Sequence, residues 1–584
     1  MRFGIFYEHQ NPRPWQGERS EHRLLNDALE QVELADRLGF DYVWEVEHHF
    51  LEEYSHSSAP EVFLAAAAAR TKRIRLGHGI VQIPPAVNHP ARVAERVATL
   101  DLISDGRVDL GTGESSSAAE LGGFLVDRTR KREMWEDAMD AIARMFVEEP
   151  FAGWRSEFWQ MPVRNVVPKP LQRPHPPLWV ACSRRETIQF AARNGIGALS
   201  FSFVEPEDAG RWVDEYHAIL DSDACVPVGF DVNPNVAVVL PMMLHEDEAR
   251  AIERGIDGAH FFGYSLAHYY GMGRHEPGHT VVWDEFRENR DERGFARSLI
   301  TAEAAPLAVK IMQHGLGSLR GAIGTPAQVL ELCRRYEAVG VDQLIFVLQA
   351  GPNRHEHICE SLELFGREVL PHFTEGREQR ERARAHRLAP VLERALARRS
   401  PAREVARGYV IDESAELARA ARGPRERGMR RRLADLGDEV SRSLRSRVQG
   451  ALARLVRGAS DEQLEHRFGS ELAQRVVLGA IARQFEPRFA FGFEGDIAYV
   501  LTHAGNGRPP SRWTVRVADG AASVLPGQDA PAAVTFTLAI PDWARLVAEE
   551  VEPQELLFDD RFGIEGDLAL ATRVPEMFGA APRF

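Results

Sequence analysis

Phe40-Asp-Tyr-Val-Trp44-Glu-Val-Glu47-His48-His49-Phe50 is a short strand that runs straight into titratable residues. Aromatic and β-branched side chains fill Phe40–Trp44, and the amphipathic stretch Leu24–Leu38 before it stops at Gly39. A helix, a glycine stop, an apolar strand and then polar side chains at the strand's C-terminal end is the order in which parallel α/β folds place their reactive groups.

The same alternation extends in both directions. Strands are expected at Arg2–Tyr7, Phe40–Trp44, Ile74–Ile80, Arg107–Leu110, Leu178–Ala181, Ala198–Phe201, Val236–Leu240 and Gln343–Leu348, with amphipathic stretches such as Ala91–Ile103 and Lys131–Phe146 between them. Thr325 and Pro326 open the helix before the last strand as cap and first helical residue. Eight strand-plus-helix units over residues 1–373 describe a (β/α)8 TIM barrel, and no Gly-x-Gly-x-x-Gly turn follows the first strand to favour an open doubly wound sheet.

After Phe373 the composition turns to arginine. Arg377 to Arg387, Arg398-Arg399 and Arg422 to Arg432 are basic clusters interleaved with Ala, Leu and Glu, so residues 374–458 read as solvated helices linking two domains. A nucleic-acid or membrane contact is the competing reading of such runs. A net charge of -15 argues against general nucleic-acid binding. Residues 459–584 return to globular patterning. A helix over Ser460–Phe485 precedes short alternating segments at Phe489–Phe493, Ile497–Leu501, Trp513–Val517, Ala521–Leu525 and Val534–Leu538, joined by hairpin-type turns. Two further helical stretches close the chain.

The 584 residues exceed what one core holds, and 44% hydrophobic content is ordinary for a globular protein. No apolar run approaches the roughly 20 residues that span a bilayer, and the N-terminus begins as a strand rather than a signal peptide, so a cytoplasmic location is expected. Four scattered cysteines (Cys182, Cys225, Cys333 and Cys359) build neither a disulfide framework nor a metal site.

Several separated motifs sit at strand ends. They are Glu47-His48-His49-Phe50, Leu76-Gly77-His78-Gly79-Ile80, Leu102-Ile-Ser-Asp-Gly106-Arg107 leading to Leu110-Gly-Thr-Gly-Glu-Ser-Ser116, Val167-Pro-Lys169-Pro170, Pro176-Pro-Leu-Trp-Val-Ala-Cys-Ser183 and Gly324-Thr-Pro326. In this order they resemble the bacterial luciferase-like flavin-dependent monooxygenases. Glu565-Gly566-Asp567 and the apolar helix ending near Phe578 resemble the sterol-carrier-protein type domain, which implies an α+β fold with an apolar cavity.

The resemblance implies a catalytic role for His48, against the flavin. An imidazole titrating near neutrality suits proton transfer during oxygen chemistry, while His49 stands open between a functional and a structural role. It places the FMN phosphate on Ser183 and Thr187, in a strand-to-helix turn that also contains Ala181 and Arg184, with Gly111, Gly113 and Ser115 as the second half of the cradle. Glu114 stands where the family often has Arg. A carboxylate there repels phosphate, so Glu114 is expected to turn away or pair with an arginine. Gly79 and Ile80 fall where the family has a non-proline cis peptide beside the flavin ring.

The activity implied is insertion or transfer of one oxygen atom from dioxygen, using reduced FMN, onto a bulky apolar small molecule. Without a nicotinamide fingerprint, a separate flavin reductase is the expected source of reduced FMN, and a homodimer the expected assembly. A deazaflavin-dependent hydride transfer on the same barrel and a non-catalytic flavin or lipid carrier are the alternatives. His260–Tyr270, dense in aromatics, reads either as core or as a pocket wall, and Gly271–Arg320 as a lid.

Overall fold

The computed structural model describes residues 1–290 except 16, 18, 116, 183–184, 201–204 and 273, residues 320–411, and residues 454–578 except 486–489, 491–492, 504–507, 519, 528–531, 549, 552–555 and 557–560. The expected strand at Phe489–Phe493, most of the expected lid, and the linker beyond residue 411 therefore lie outside the described residues in whole or large part. The chain divides into two compact units, Met1–Ala406 and Arg407–Phe584. No helix among the described residues is long and apolar enough to cross a membrane.

Eight parallel strands close the first unit into a barrel: β1 (Arg2–Tyr7), β2 (Tyr42–Glu45), β3 (Arg75–Gln82), β4 (Val108–Gly113), β5 (Leu178–Cys182), β6 (Gly197–Ser200), β7 (Val236–Leu244) and β8 (Gln343–Gln349). β8 pairs back onto β1 from Arg2↔Gln343 onward, which removes both sheet edges. All eight expected strands are present. β7 runs four residues longer than its apolar pattern suggested because a short strand, Ala322–Gly324, pairs with its end at Met242–Leu244.

The barrel interior is filled by two indoles set into glycines. A Cβ on Gly77 would lie 2.2 Å from Trp44, and one on Gly197 would lie 2.3 Å from Trp179. The two tryptophans meet edge-to-face at 5.4 Å. Below them, at the strands' N-terminal ends, Asp109 accepts from Trp179 Nε1 at 3.0 Å and from Arg75 Nε at 2.6 Å. That end is plugged by charge pairing and packed rings, which leaves the C-terminal mouth for chemistry.

The arginine-rich segment departs from the expected solvated linker. Its first helix, Arg377–Leu396, belongs to the first unit and buries Leu388 and Ala395. Arg377 pairs with Asp41 at 2.6 Å, Arg384 with Asp342 at 2.8 Å and Arg403 with the buried Glu148 at 2.9 Å. The counter-charges are thus barrel carboxylates far away in sequence as well as the neighbouring glutamates. Burial pushes Asp342 up to about 6, against the pull of Arg384.

In the second unit a five-stranded sheet runs in the order β11-β10-β9-β12-β13, with β9 Gly495–Thr502, β10 Ser511–Ala518, β11 Ala521–Pro526, β12 Val534–Ala539 and β13 Phe562–Gly566. β9, β10 and β11 form the expected antiparallel hairpins, whereas β12 pairs with β9 in parallel. The helix expected over Ser460–Phe485 is two helices, Asp461–Phe468 and Glu471–Ala482. Ser470 restarts the second by accepting from Ala473 N–H, just after Gly469 ends the first. Trp513, Val515, Phe536, Leu538 and Trp543 centre its apolar core.

A fragment of residues 1–406 is expected to melt several degrees above one ending at Phe373. The shorter fragment strips Asp41 of Arg377, Asp342 of Arg384 and Glu148 of one of its two guanidiniums, and breaking a buried pair typically costs about 3–5 kcal/mol. Thermal denaturation followed by circular dichroism tests this, and equal midpoints would reduce the helix to a surface ornament.

Candidate active site

At the mouth of the barrel the ends of β1 to β4 bring three ionisable groups into line. β1 runs into Glu8 and β2 into His48. β4 is followed by the short helix Ala118–Gly123, whose cap Ser117 accepts from Glu120 N–H at 3.1 Å. That helix places the Glu120 carboxylate, fully buried, 3.0 Å from His48 Nδ1. On the other side of the imidazole, Nε2 lies 3.7 Å from Glu8 Oε2.

Glu120 is the hub of this set. Besides His48 it accepts from His49 N–H at 3.0 Å, from Ser115 Oγ at 2.8 Å and from Gln82 Nε2. Burial works against its charge, but the facing imidazole and these donors hold it down at about 2. Burial likewise opposes a charged His48, yet the fields of Glu120 and then Glu8 raise it to about 9. Glu8 is pushed up to about 7 by burial, against the pull of His48 and the hydrogen bond from Tyr54 Oη at 2.9 Å.

This corrects one expectation. At neutral pH His48 is an imidazolium held between two carboxyls, and the group that titrates near neutrality is Glu8. The three titrate as a coupled set. Tyr54 and Tyr270 flank the imidazole, with ring centroids at 5.8 and 6.3 Å, and Tyr270 Oη lies 3.5 Å from His48 Nδ1. The aromatic stretch His260–Tyr270 therefore divides: Phe261, Phe262 and Tyr264 pack in the core, and Tyr270 covers the site. His49 is held by Glu47 at 3.1 Å and by the Phe124 ring at 4.9 Å.

Around the second half of the mouth the picture is mixed. β3 shifts register against β4 between His78 and Val81, so Gly79 and Ile80 form an irregularity there. The cis peptides among the described residues all precede proline, and the Gly79–Ile80 bond is not one of them. A Cβ on Gly111 would lie 2.2 Å from His78 O, and one on Gly113 would lie 2.6 Å from Ile80 Cδ1, so close packing against β3 accounts for both glycines. Ser115, at φ +59°, donates its hydroxyl to Glu120.

Ala181 lies half-buried on β5, ahead of Ser183 and Arg184, which lie outside the described residues. Thr187 sits in the first turn of the helix Arg185–Arg193, its carbonyl accepting from Cys182 Sγ. Glu114 pairs as anticipated: Arg132 reaches it with two contacts of 2.9 and 3.1 Å, and Lys131 Nζ lies 3.6 Å away. Two cations thus meet one carboxylate, and Arg132 also lies over the ring of Phe190 in that same helix, at 4.1 Å. Arg132 and Lys131, which no motif in the sequence singles out, offset the charge of Glu114. Glu8 Oε2, Gln82 Oε1 and Ser200 Oγ are buried without hydrogen-bond partners at the ends of β1, β3 and β6, acceptors that fit a ligand rich in N–H and O–H groups.

Glu8 and Glu120 were also missed. Glu8 follows β1 directly, so the rule that singled out His48 applies to it. Ser117-x-x-Glu120 carries the spacing of a helix start, which signals the helix but not the inward carboxylate.

Comparison with known proteins agrees with the closed barrel. Residues 1–343 match the model of the luciferase-like monooxygenase family, and residues 492–579 match that of the SCP-2 sterol transfer family. The chain is 26% identical over 388 residues to the oxygenase component of the flavin-dependent trigonelline monooxygenase of Acinetobacter baylyi, spanning 66% of this chain and 98% of that protein. A 137-residue stretch is 39% identical to limonene 1,2-monooxygenase of Rhodococcus erythropolis, covering 23% of this chain and 35% of that enzyme. The crystal structure of monooxygenase RslO1 from Streptomyces bottropensis superposes with a TM-score of 0.50 at 26% identity, over 64% of this chain and all of that one. With more than half its length matched and the closed barrel to go with it, the chain belongs to the luciferase-like monooxygenase family.

Proposed function

We propose that the first unit is the oxygenase of a two-component, FMN-dependent monooxygenase acting on a bulky apolar small molecule. The observation that carries this reading is the Glu8–His48–Glu120 set at the barrel mouth. Reduced flavin, when bound, supplies the electrons that activate dioxygen, and a separate reductase supplies the flavin. His48, charged at neutral pH, holds a proton at Nε2 and offers it to a developing oxyanion. Glu120 stays anionic throughout and fixes the ring through Nδ1. Glu8, near its midpoint at neutral pH, takes up or returns the proton. Tyr54 and Tyr270 shield the imidazole from bulk water.

Ser183, Arg184 and Thr187 are assigned to the phosphate, with Arg132 and Lys131 offsetting Glu114; Gly79, Ile80, Gly111 and Gly113 shape the adjoining strand ends and Ala181 leads into the turn. The named relatives support a flavin and a small organic substrate, and the SCP-2 match supports an apolar one. We take the catalytic barrel with its packed arginine-rich helix, a linker beyond that helix and an apolar-ligand domain as the working organisation, in a cytoplasmic homodimer.

His48→Ala is expected to keep FMN binding and lose roughly 10²–10⁴-fold in product formation, the range of general acid–base help. Unchanged turnover with reduced FMN would sink the assignment.

The pH profile of turnover is expected to be bell-shaped, rising near 7 as Glu8 ionises and falling near 9 as His48 loses its proton. Glu8→Gln removes the lower limb. Glu120→Gln removes the strongest field holding the proton on His48, so its upper limb moves to lower pH. A profile that ignores both substitutions would put the proton transfer elsewhere.

Titration with FMN, riboflavin and the deazaflavin distinguishes the cofactors. Ser183→Ala with Thr187→Ala should weaken FMN more than riboflavin, each charge-assisted bond being worth about 1.5–3 kcal/mol. Tighter binding of the deazaflavin than of FMN would favour hydride transfer instead.

A further inference from the structure

The second unit holds a line of three side chains that the barrel's chemistry does not use. Ser511, the first residue of β10, brings its Oγ to 3.4 Å from His503 Nε2, and His503 Nδ1 lies 2.5 Å from Glu465 Oε1. We propose that Ser511, His503 and Glu465 are a nucleophile, a base and its orienting acid, and that this unit hydrolyses carboxylic esters of aliphatic acids.

The roles follow from the order of contacts. Glu465 can only accept from Nδ1–H, which fixes the tautomer and leaves Nε2 as the acceptor facing a hydroxyl. The His503 and Glu465 side chains are only 6% and 12% exposed, so their contact is largely shielded from water. A hydroxyl, an imidazole and a carboxylate in this sequence recur on unrelated folds and are recognised by geometry rather than by chain order. A nucleophile–base contact is often longer without substrate and tightens in the complex, so 3.4 Å is within range.

Regular elements hold Glu465 and Ser511, and His503 follows directly on β9, which suits a site that must keep its geometry. Ladder pairing of Leu501 with Ser511 sets the ends of β9 and β10 side by side, and His503 is one residue beyond β9. Glu465 comes from the helix Asp461–Phe468, whose start is fixed by reciprocal hydrogen bonds between Ser460 and Gln463. The acyl preference comes from the surroundings. Leu501, opposite Ser511, is fully buried, and Trp513, next along the same face, lies in the apolar core.

The chemistry balances without a redox partner. Ser511 Oγ bonds to the acyl carbon as its proton passes to His503 Nε2. The bond to the alcohol oxygen breaks, and the alcohol leaves with that proton. Water then adds to the acyl carbon, giving one proton to His503; the bond to Ser511 Oγ breaks, the acid departs and Oγ takes that proton back from His503.

The full-length chain should therefore be treated with a fluorophosphonate probe and assayed with p-nitrophenyl butyrate and octanoate. The expected results are a probe adduct on the peptide carrying Ser511 and a loss of at least about 10²-fold in ester hydrolysis for Ser511→Ala, His503→Ala and Glu465→Gln. Wild-type protein without an adduct on Ser511, or hydrolysing no faster than Ser511→Ala, would overturn the proposal and leave the three side chains as a tie between helix and sheet. The adduct is read on the wild-type chain, so the outcome is decisive even if a variant fails to fold.

Discussion

Two indoles set into two glycines govern the barrel. Trp44 fits only because Gly77 has no Cβ, and Trp179 only because Gly197 has none. These contacts hold β2 against β3 and β5 against β6 in one register, and side-chain period two then decides what points where. Trp44 and His48 lie four residues apart, so the ring that fills the barrel also anchors the strand leading to the imidazole at its mouth. The plug of Arg75, Asp109 and Trp179 closes the opposite end. Chemistry and stability are thereby separated along the barrel axis.

At the mouth, electrostatics sets the roles. One imidazole between two carboxyls produces three different titrations from two residue types: Glu120 well below the usual carboxylate range, Glu8 well above it and His48 above its own. The two glutamates differ in their distance from the imidazole, 3.0 against 3.7 Å, and in hydrogen bonding. Glu120 collects four donors, whereas Glu8 has Tyr54 on one oxygen and leaves the other without a hydrogen-bond partner. Equal burial with unequal donors separates an orienting anion from an exchangeable proton.

Much of this was legible in the sequence. All eight barrel strands announce themselves as short apolar runs alternating with amphipathic stretches, and His48 through its place at a strand end. Glu120 was not legible, because its function depends on partners 38 and 72 residues away and on a six-residue helix in a Ser- and Ala-rich stretch. The strand Phe562–Gly566 was missed because its glycines and exposed Glu565 read as the approach to a helix; pairing with β12 overrides that local pattern. The arginine-rich helix was misread for a related reason. Local charge alternation shows which side chains are basic, but not that Asp41, Asp342 and Glu148 wait for them on the barrel.

That helix bears on how such chains are shuffled and fused over evolutionary time. The family model ends at residue 343, yet the first compact unit continues to Ala406. A recombination event, or an engineered graft, that cut between those points would separate acids from bases that now neutralise one another. The inheritable module is the barrel with its arginine belt, and any replacement partner domain has to be joined beyond it.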